Sequence, residues 1–314
     1  MRILIAYDGS DPADTAIDGL RRAGFPAENV EALVVSVGEV WLPPPSPDEA
    51  VDEAFPVPLG LKEARERAAQ VMDEAEQVAQ RGSKRVQHNF SGWRVSHEVR
   101  NGSPGFELLK CAREWSADLI VVGSHGRSAL GRFVLGSVSQ KVLTEAETSV
   151  HIGRPNPGSG KSGERILIGV DGSPAALAAI RAVAKRNWTD GSEIRILVAD
   201  DVFRGNPIWL LIPPVREFFE EVRTEERTQA EQFAIAAAKE LREGLGGRNM
   251  TISSVVHAGD PKHVLVKHAE EFGADCIFTG ATGFSSVLER VILGSVSAAI
   301  AARAHCSVEV VRES

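Results

Sequence analysis

The segment with the clearest chemical potential combines glycines with hydroxyl side chains. Residues 122–139 read Val-Gly-Ser-His-Gly-Arg-Ser-Ala-Leu-Gly-Arg-Phe-Val-Leu-Gly-Ser-Val-Ser and pass from a strand-like run into a helix-like one. Glycines at a strand exit let the backbone approach a ligand closely, and a Gly-Ser pair at a helix start offers free N–H groups and a hydroxyl to an anion. The segment therefore predicts a phosphate-binding loop with turns at Gly123, Gly126 and Gly136.

The interpretation becomes more specific because the chain repeats itself. Three segments of the first half recur in the same order in the second half. Residues 2–10 recur as 165–173, residues 102–104 as 259–261, and residues 135–139 as 293–297. The carboxyl ends of parallel strands lie at one edge of a sheet, so the Asp-Gly-Ser turn and the glycine loop of each half are expected to face one crevice.

A linker separates the two copies. Residues 154–163 read Arg-Pro-Asn-Pro-Gly-Ser-Gly-Lys-Ser-Gly, a composition typical of a connection rather than of packed structure. We therefore expect a first domain over residues 1–154, a linker over 155–163 and a second domain over 164–314.

The pattern within each copy predicts the fold class. Short runs rich in Val and Ile alternate with longer helix-patterned stretches, which indicates α/β domains built from βαβ units with a parallel sheet. In the first copy, strands are expected near residues 2–7, 30–37, 93–99, 118–122 and 149–152. Helices are expected near residues 12–23, 60–82, 104–115 and 137–145.

Composition and charge exclude several classes of protein. The chain has 314 residues, a formal net charge of −8 and three cysteines. An acidic chain has no long-range attraction to nucleic acid or to anionic lipid, so neither is expected as a partner. The strand-like start and the absence of an apolar run of about 18 residues predict a cytoplasmic protein without a membrane segment. The widely spaced cysteines favour reduced thiols, and no metal site is predicted.

The glycine spacing resembles the ATP-binding signature of the universal stress protein family. That signature is Gly, two residues, Gly, nine residues, Gly-Ser, and Gly123, Gly126, Gly136 and Ser137 satisfy it in full. Residues 5–10 and the turn at 102–104 are also similar to that family. The resemblance covers nearly the whole chain, twice.

The resemblance implies an ATP site in the first copy. Asp8 would lie near the base and ribose, and Val37 would offer main-chain hydrogen bonds to adenine. Gly123, Gly126 and Arg127 would wrap the phosphates, on which Mg²⁺ would be carried. The complete set of expected nucleotide-binding residues is Tyr7, Asp8, Gly9, Ser10, Val37, Gly102, Gly123, Gly126, Arg127, Gly136, Ser137, Val138 and Ser139.

The second copy departs from the signature. Ten residues, rather than nine, separate Gly283 from Gly294, and Phe284 replaces Arg127. An extra residue moves the backbone by up to about 3.5 Å, so the second site ranks below the first. Its expected residues are Asp171, Ser173, Ala199, Gly259, Gly280, Gly283, Gly294, Ser295, Val296 and Ser297.

The resemblance also implies how the domains assemble and what they do. Two Rossmann-like, flavodoxin-type domains, each with a five-stranded parallel sheet, would pair through their last strands as a pseudo-dimer, and two chains would pair further as a homodimer. The leading hypothesis is an ATP-binding, nucleotide-responsive stress or regulatory protein with no catalytic residues. The alternatives are an interaction protein of the same fold that binds no nucleotide, and a slow ATP hydrolase or adenylyl-transferring relative.

Overall fold

Strands and helices alternate along both halves of the chain. The computed structural model describes residues 1–40, 59–125, 135–155, 163–200, 213–282 and 293–313. The first half contains β1 (Arg2–Ala6), α1 (Asp11–Gly19), β2 (Glu31–Gly38), α2 (Leu59–Asn89), β3 (Arg94–Asn101), α3 (Pro104–Glu114), β4 (Leu119–Gly123), α4 (Ser137–Glu145) and β5 (Ser149–Gly153). The second half contains β6 (Arg165–Val170), α5 (Pro174–Ala184), β7 (Glu193–Asp200), α6 (Pro213–Leu245), β8 (Thr251–Ala258), α7 (Pro261–Phe272), β9 (Cys276–Gly280), α8 (Ser295–Arg303) and β10 (Ser307–Val311).

The strands of each half form a five-stranded parallel sheet, which confirms the predicted α/β fold. The strand order is β3-β2-β1-β4-β5 in the first half and β10-β9-β6-β7-β8 in the second. Neighbouring strands within each half are parallel. The chain changes direction across the sheet between β1 and β4, and again between β6 and β9. Each reversal leaves a crevice at the carboxyl ends of those strands.

The longest helices, α2 and α6, pack against their sheets through small side chains. In α2 the buried stripe includes Ala75, Ala79 and Gly82. The helix continues past its expected end at residue 82 because Val86 is still fully buried. No helix in the described ranges is both long and apolar enough to cross a bilayer.

The two sheets join through their last strands, as expected. β5 and β10 pair antiparallel, with Ile152 opposite Val308, His151 opposite Glu309 and Val150 opposite Val310. The result is one ten-stranded sheet. Association of two chains into a homodimer stays a prediction.

A buried ion network lies at the centre of this junction. Glu309 is 2% exposed, and its carboxylate contacts His151 Nδ1 at 3.1 Å and Arg186 Nη2 at 2.6 Å. Arg186 also donates to the Ala23 carbonyl at 2.9 Å and lies 3.7 Å from the ring centroid of Phe25, both in the first half. Burial raises the pKa of Glu309, but Arg186 and His151 outweigh that effect and hold the pKa below its ordinary value. The carboxylate therefore remains charged inside the junction.

Two buried arginines cap helices across the junction. Arg154, after β5, donates from Nη2 to the Ala301 carbonyl of α8 at 2.5 Å. Arg312, after β10, donates to the Leu143 carbonyl of α4 at 2.8 Å. Both carbonyls lie in the last turn of their helices, where no intrahelical donor is available. Burial lowers the pKa of each guanidinium to about 10. Each half thus completes a helix end of the other.

Replacing His151 with glutamate would place two carboxylates opposite each other in a dry interior. We expect His151→Glu to lower the free energy of unfolding by about 3–5 kcal/mol, because one charge would be left without a partner. Equilibrium urea unfolding measures the change. His97→Glu is the matched control, since His97 also faces a carboxylate, Glu76 at 2.8 Å, but is partly exposed. The control is expected to cost less than about 1 kcal/mol. Equal losses in the two variants would contradict a special role for the buried pair.

Candidate functional site

A cavity of about 680 Å³ lies at the carboxyl edge of the first sheet. Its walls come from the ends of β1, β2 and β4, the start of α4 and one face of α2. Cavities of about 300–1,000 Å³ are typical of small-molecule sites. Eight of the expected nucleotide-binding residues line it, namely Tyr7, Asp8, Val37, Gly123, Gly136, Ser137, Val138 and Ser139.

The Asp-Gly-Ser turn after β1 is built by its own hydrogen bonds. Gly9 has a φ of 75°, which glycine adopts without strain. The Ser10 N–H donates to Asp8 Oδ1 at 3.0 Å, and Ser10 Oγ accepts from the Ala13 N–H at 3.3 Å to cap α1. Gly9 and Ser10 therefore shape the turn, and Asp8 is the member of the turn that lines the cavity.

The second half builds the same turn. Gly172 has a φ of 78°. The Ser173 N–H donates to Asp171 Oδ1 at 3.0 Å, and Ser173 Oγ accepts from the Ala176 N–H at 3.2 Å. The local framework of the crevice is thus present in both copies.

The start of α4 offers hydrogen-bond donors to the cavity. Gly136 caps the helix without a side-chain hydrogen bond, and its own N–H donates to the Ser124 carbonyl at 2.9 Å. The first-turn amides of residues 137–139 have no carbonyl within the helix to donate to. Their position at the positive end of the helix dipole favours an anion. Ser139, also among the expected nucleotide-binding residues, donates its hydroxyl to the Gly123 carbonyl at 2.6 Å.

Two further glycines set the path of the backbone around the cavity. A Cβ atom on Gly123 would lie 3.1 Å from the Pro12 carbonyl oxygen, so glycine lets β4 approach α1 closely. Gly102 has a φ of 127° and donates its N–H to the Gly38 carbonyl at 3.0 Å. Gly102 does not line the cavity, whereas Pro104, two residues later, does.

The equivalent glycines and serines of the second half repeat these contacts. Gly294 caps α8 and donates to the Ala281 carbonyl at 2.7 Å, while Ser297 Oγ donates to the Gly280 carbonyl, also at 2.7 Å. Gly259 has a φ of 137°. The remaining expected residues are placed by their elements: Ala199 lies in β7, and Ser295 and Val296 begin α8. Gly126, Arg127 and Gly283 lie outside the described residues, so their roles stay predictions.

Helix α2 forms a wall of the cavity that the sequence did not predict. Its lining residues are Val71, Glu74, Ala75, Gln77, Val78 and Arg81. When α2 and α6 are aligned by their buried residues, Phe233 of α6 corresponds to Glu74 of α2, and Glu240 corresponds to Arg81. Glu240 is paired with Arg181 at 2.8 Å. The second copy therefore has a carboxylate where the first has a cation.

Tyr7 forms the floor of the cavity next to α2. Its hydroxyl donates to Asp14 Oδ1 at 2.6 Å, and burial, together with Asp14, raises the pKa of the phenol above its ordinary value. A Cβ atom on Gly82 would lie 2.6 Å from the tyrosine ring. In the second half, Val170 occupies the position of Tyr7, and Leu241 occupies the position of Gly82. The first copy therefore has the larger side chain on the strand side, and the second copy has it on the helix side.

Within the described part of the chain, no group of three or more His, Cys, Asp or Glu side chains could hold a metal ion. Asp8, Glu39 and Glu74 contribute carboxylates to the cavity lining, and Arg81 and His125 contribute basic groups. The cavity thus combines acidic and basic side chains with an amide-rich helix start.

Comparison with known proteins gives a consistent result. The model of the universal stress protein family matches residues 1–154 and 163–312. A universal stress protein of Thermus aquaticus is 36% identical over 148 residues, which cover 47% of this chain and 94% of that protein. One from Mycolicibacterium smegmatis is 29% identical over 227 residues, 70% of each chain. The solved structure of a universal stress protein from Archaeoglobus fulgidus has a TM-score of 0.62 at 20% identity and covers 100% of this chain and 98% of its own, a likeness of fold.

The close contact between Tyr7 and α2 gives a test of the cavity floor. We expect Gly82→Ala to destabilise the protein by about 1–3 kcal/mol, because the added methyl group overlaps the Tyr7 ring. Gly60→Ala is the control on the same helix, since nothing lies within 4 Å of a Cβ atom there. Chemical denaturation of both variants, and of Gly82→Ala in a Tyr7→Val background, measures the coupling. The hypothesis is wrong if Gly82→Ala is as well tolerated as Gly60→Ala, or if Tyr7→Val brings no relief.

Proposed function

We propose that this chain, which belongs to the universal stress protein family and carries its domain in tandem, binds ATP in the first-half cavity and acts as a nucleotide-responsive regulatory protein. The observation that carries the proposal is the meeting of three features in one cavity. They are the Asp8 turn, the end of β2 at Val37 and the open amides at the start of α4.

The cavity supports a particular orientation of the nucleotide. The phosphates lie at residues 136–139, which line the cavity at the start of α4, where first-turn amides lack intrahelical partners and the helix dipole favours negative charge. The adenine lies toward β2, where Val37, Leu108 and Val122 give apolar walls. Asp8 lies between these ends and accepts hydrogen bonds from the ribose. The base and the phosphates are thus separated according to their polarity.

Mg²⁺ would be held mainly by the phosphates. The described residues provide no cluster of three or more metal ligands, and Asp8, Glu39 and Glu74 are the carboxylates that line the cavity. Such a metal usually keeps several waters and binds through substrate phosphates with one or two carboxylates. When bound, it would neutralise phosphate charge next to those carboxylates.

The first half is the proposed site of tight binding. In the second half, Glu240 replaces Arg81 on the helix wall, and the loop before α8 has one more residue than the family signature. Both changes make the second crevice less favourable for a triphosphate. We infer a stoichiometry of one ATP per chain.

The nucleotide content of the purified protein and a calorimetric titration of Mg-ATP into the emptied protein test this function. One ATP per chain is expected. No binding at millimolar ATP would reject the proposed function and favour an interaction protein of the same fold. Release of ADP or transfer of AMP at a steady rate would favour the enzymatic alternatives.

Proline at the start of α4 tests the proposed phosphate site. Proline is well tolerated at the first position of a helix, and the φ of −62° and ψ of 154° at Gly136 suit the residue before a proline. Ser137→Pro removes one amide donor and one hydroxyl. We expect it to weaken ATP binding by about tenfold or more, since a hydrogen bond to a charged group contributes about 1.5–3 kcal/mol.

Ser295→Pro provides the matched control in the second half. Gly294 has the same conformation, with a φ of −66° and a ψ of 149°, so the backbone accepts the change equally well. Titration calorimetry on both variants is expected to show a loss only in Ser137→Pro. The same loss in both variants, or in neither, would be inconsistent with a phosphate site confined to α4.

A further inference from the structure

A second cavity, of about 310 Å³, lies in the second half. Side chains of β8, α7 and the end of α8 line it, and its ionisable groups are mostly basic. These basic residues are His257, Lys262, His263, Lys267, His268 and Arg303, and Glu270 is the acidic residue of the lining. The chain as a whole has a net charge of −8. The cavity is therefore a local exception to the charge of the protein.

Two imidazoles lie against each other in this cavity. The ring centroids of His257 and His268 are 4.6 Å apart, and the ring planes are inclined by 72°. Nδ1 of His257 lies 2.8 Å from the Ala258 carbonyl oxygen, so this nitrogen carries a proton and donates it. Nε2 is therefore the acceptor nitrogen of the neutral ring. Two imidazolium groups at this separation repel each other unless an anion lies close to both.

The first half has a carboxylate-rich ion network at the same place in the fold. Arg100 occupies the β3 position that corresponds to His257 in β8, as shown by their equivalent pairing with β2 and β7. Its guanidinium lies 2.7 Å from Glu98, 2.7 Å from Glu114 and 3.9 Å from Glu107. The basic side chain there has three carboxylates around it.

The second half has lost most of this negative charge. Val255 stands at the strand position of Glu98, and Val264 stands at the helix position of Glu107. Glu271 remains at the position of Glu114. Meanwhile His268 replaces the fully buried Cys111. Negative charge has decreased at this place while basic groups have increased.

Arg195 of β7 adds a further basic group beneath α7. Its guanidinium carbon lies 4.0 Å from the ring centroid of Phe272. Its Nε is buried and has no hydrogen-bond partner. The first half has the neutral Leu33 at the corresponding strand position. A buried guanidinium N–H without a hydrogen-bond partner therefore lies beneath α7, where the first half has an apolar side chain.

The charges around His268 act mainly in one direction. Burial lowers its pKa, and His257, Arg195 and Lys267 lower it further, while Glu271 raises it. His268 is therefore mostly neutral at neutral pH. A bound anion would raise the pKa and favour the protonated ring.

The other nearby charges are already engaged. Asp260, at the start of α7, contacts His263 at 3.1 Å and accepts from the Lys262 N–H. Arg165 of β6, which also packs beside α7, contacts Glu193 at 3.3 Å. Arg303 adds positive charge from α8. Lys267 contacts Glu271 at 3.6 Å and Glu270 also lines the cavity, so basic groups outnumber carboxylates around the two imidazoles without all being unpaired.

We propose that this cavity binds a compact oxyanion of the phosphate type, held by His257 and His268 with Lys267 and Arg303 at its rim. The site is separate from the proposed ATP cavity and does not depend on it. Its affinity increases as pH falls, because protonation adds a donor and a charge to the His268 ring.

Sulfate is the probe of choice because its charge is constant between about pH 6 and pH 8, the range in which histidine titrates. NMR of the imidazole resonances, assigned with His257→Gln and His268→Gln, reports on this cavity alone even if sulfate also binds at α4. We expect both resonances to shift on titration, with an affinity about tenfold higher at pH 6 than at pH 8.

The variants and a second probe complete the test. The double variant His257→Gln/His268→Gln is expected to abolish the pH dependence and weaken binding, observed through the His263 resonance. His97→Gln, on the exposed edge of β3, is the control and is expected to change nothing. Tighter binding of phenyl phosphate than of inorganic phosphate would assign a phosphate ester, and equal affinity would assign the free ion. Unmoved His257 and His268 resonances, or the same affinity at both pH values, would overturn the proposal.

Discussion

The arrangement of the two halves depends on the buried carboxylate of Glu309. In a symmetric dimer, a residue on the two-fold axis faces its own copy. Here the register of β5 and β10 places that axis between His151 and Glu309, so a basic and an acidic group face each other. Two identical domains paired in the same way would bring together two carboxylates or two imidazoles away from water, which is unfavourable. The asymmetry therefore favours pairing of the two unlike domains, because pairing of identical domains is disfavoured.

The two copies share a backbone framework and differ in the chemistry attached to it. The Asp-Gly-Ser turns, the helix-start glycines and the serine-to-carbonyl hydrogen bonds repeat almost atom for atom. The side chains that face the crevices do not, since Arg81 corresponds to Glu240 and Glu74 to Phe233. The contacts that hold strands and helices together are the same in the two copies, whereas the crevice-facing side chains differ. The divergence at His257 and His268 follows the same pattern.

Much of the fold follows from local features of the sequence. Runs of Val and Ile mark the strands, and the internal repeat gives the number of domains before any contact is known. The glycine turns were also predictable, because Gly9 and Gly102 adopt backbone angles that other residues avoid. The pairing of the last strands came from the family resemblance, and the structure confirms it.

Other features required the three-dimensional register. The α2 wall could not be identified from the sequence, because helix periodicity does not say which turn of a 31-residue helix lies beside the crevice. Similarly, the need for glycine at position 82 arises from its contact with the Tyr7 ring, which is distant in the chain. Ser10 and Ser139 were predicted as nucleotide-binding residues from their motif, and the structure adds that Ser10 Oγ accepts from the Ala13 amide and Ser139 Oγ donates to the Gly123 carbonyl. A serine hydroxyl within a binding motif can thus form hydrogen bonds with the backbone of the motif itself.

Tyr7 has a consequence for how the protein can be observed. It is the only tyrosine among the 314 residues, and it lies in the cavity wall. Its hydroxyl is held by Asp14, and its raised pKa keeps the phenol protonated well into alkaline solution. An isotopic or fluorine label introduced through tyrosine therefore marks one atom group at the cavity floor and nowhere else. The molecule contains its own single-site spectroscopic reporter, without any engineered substitution.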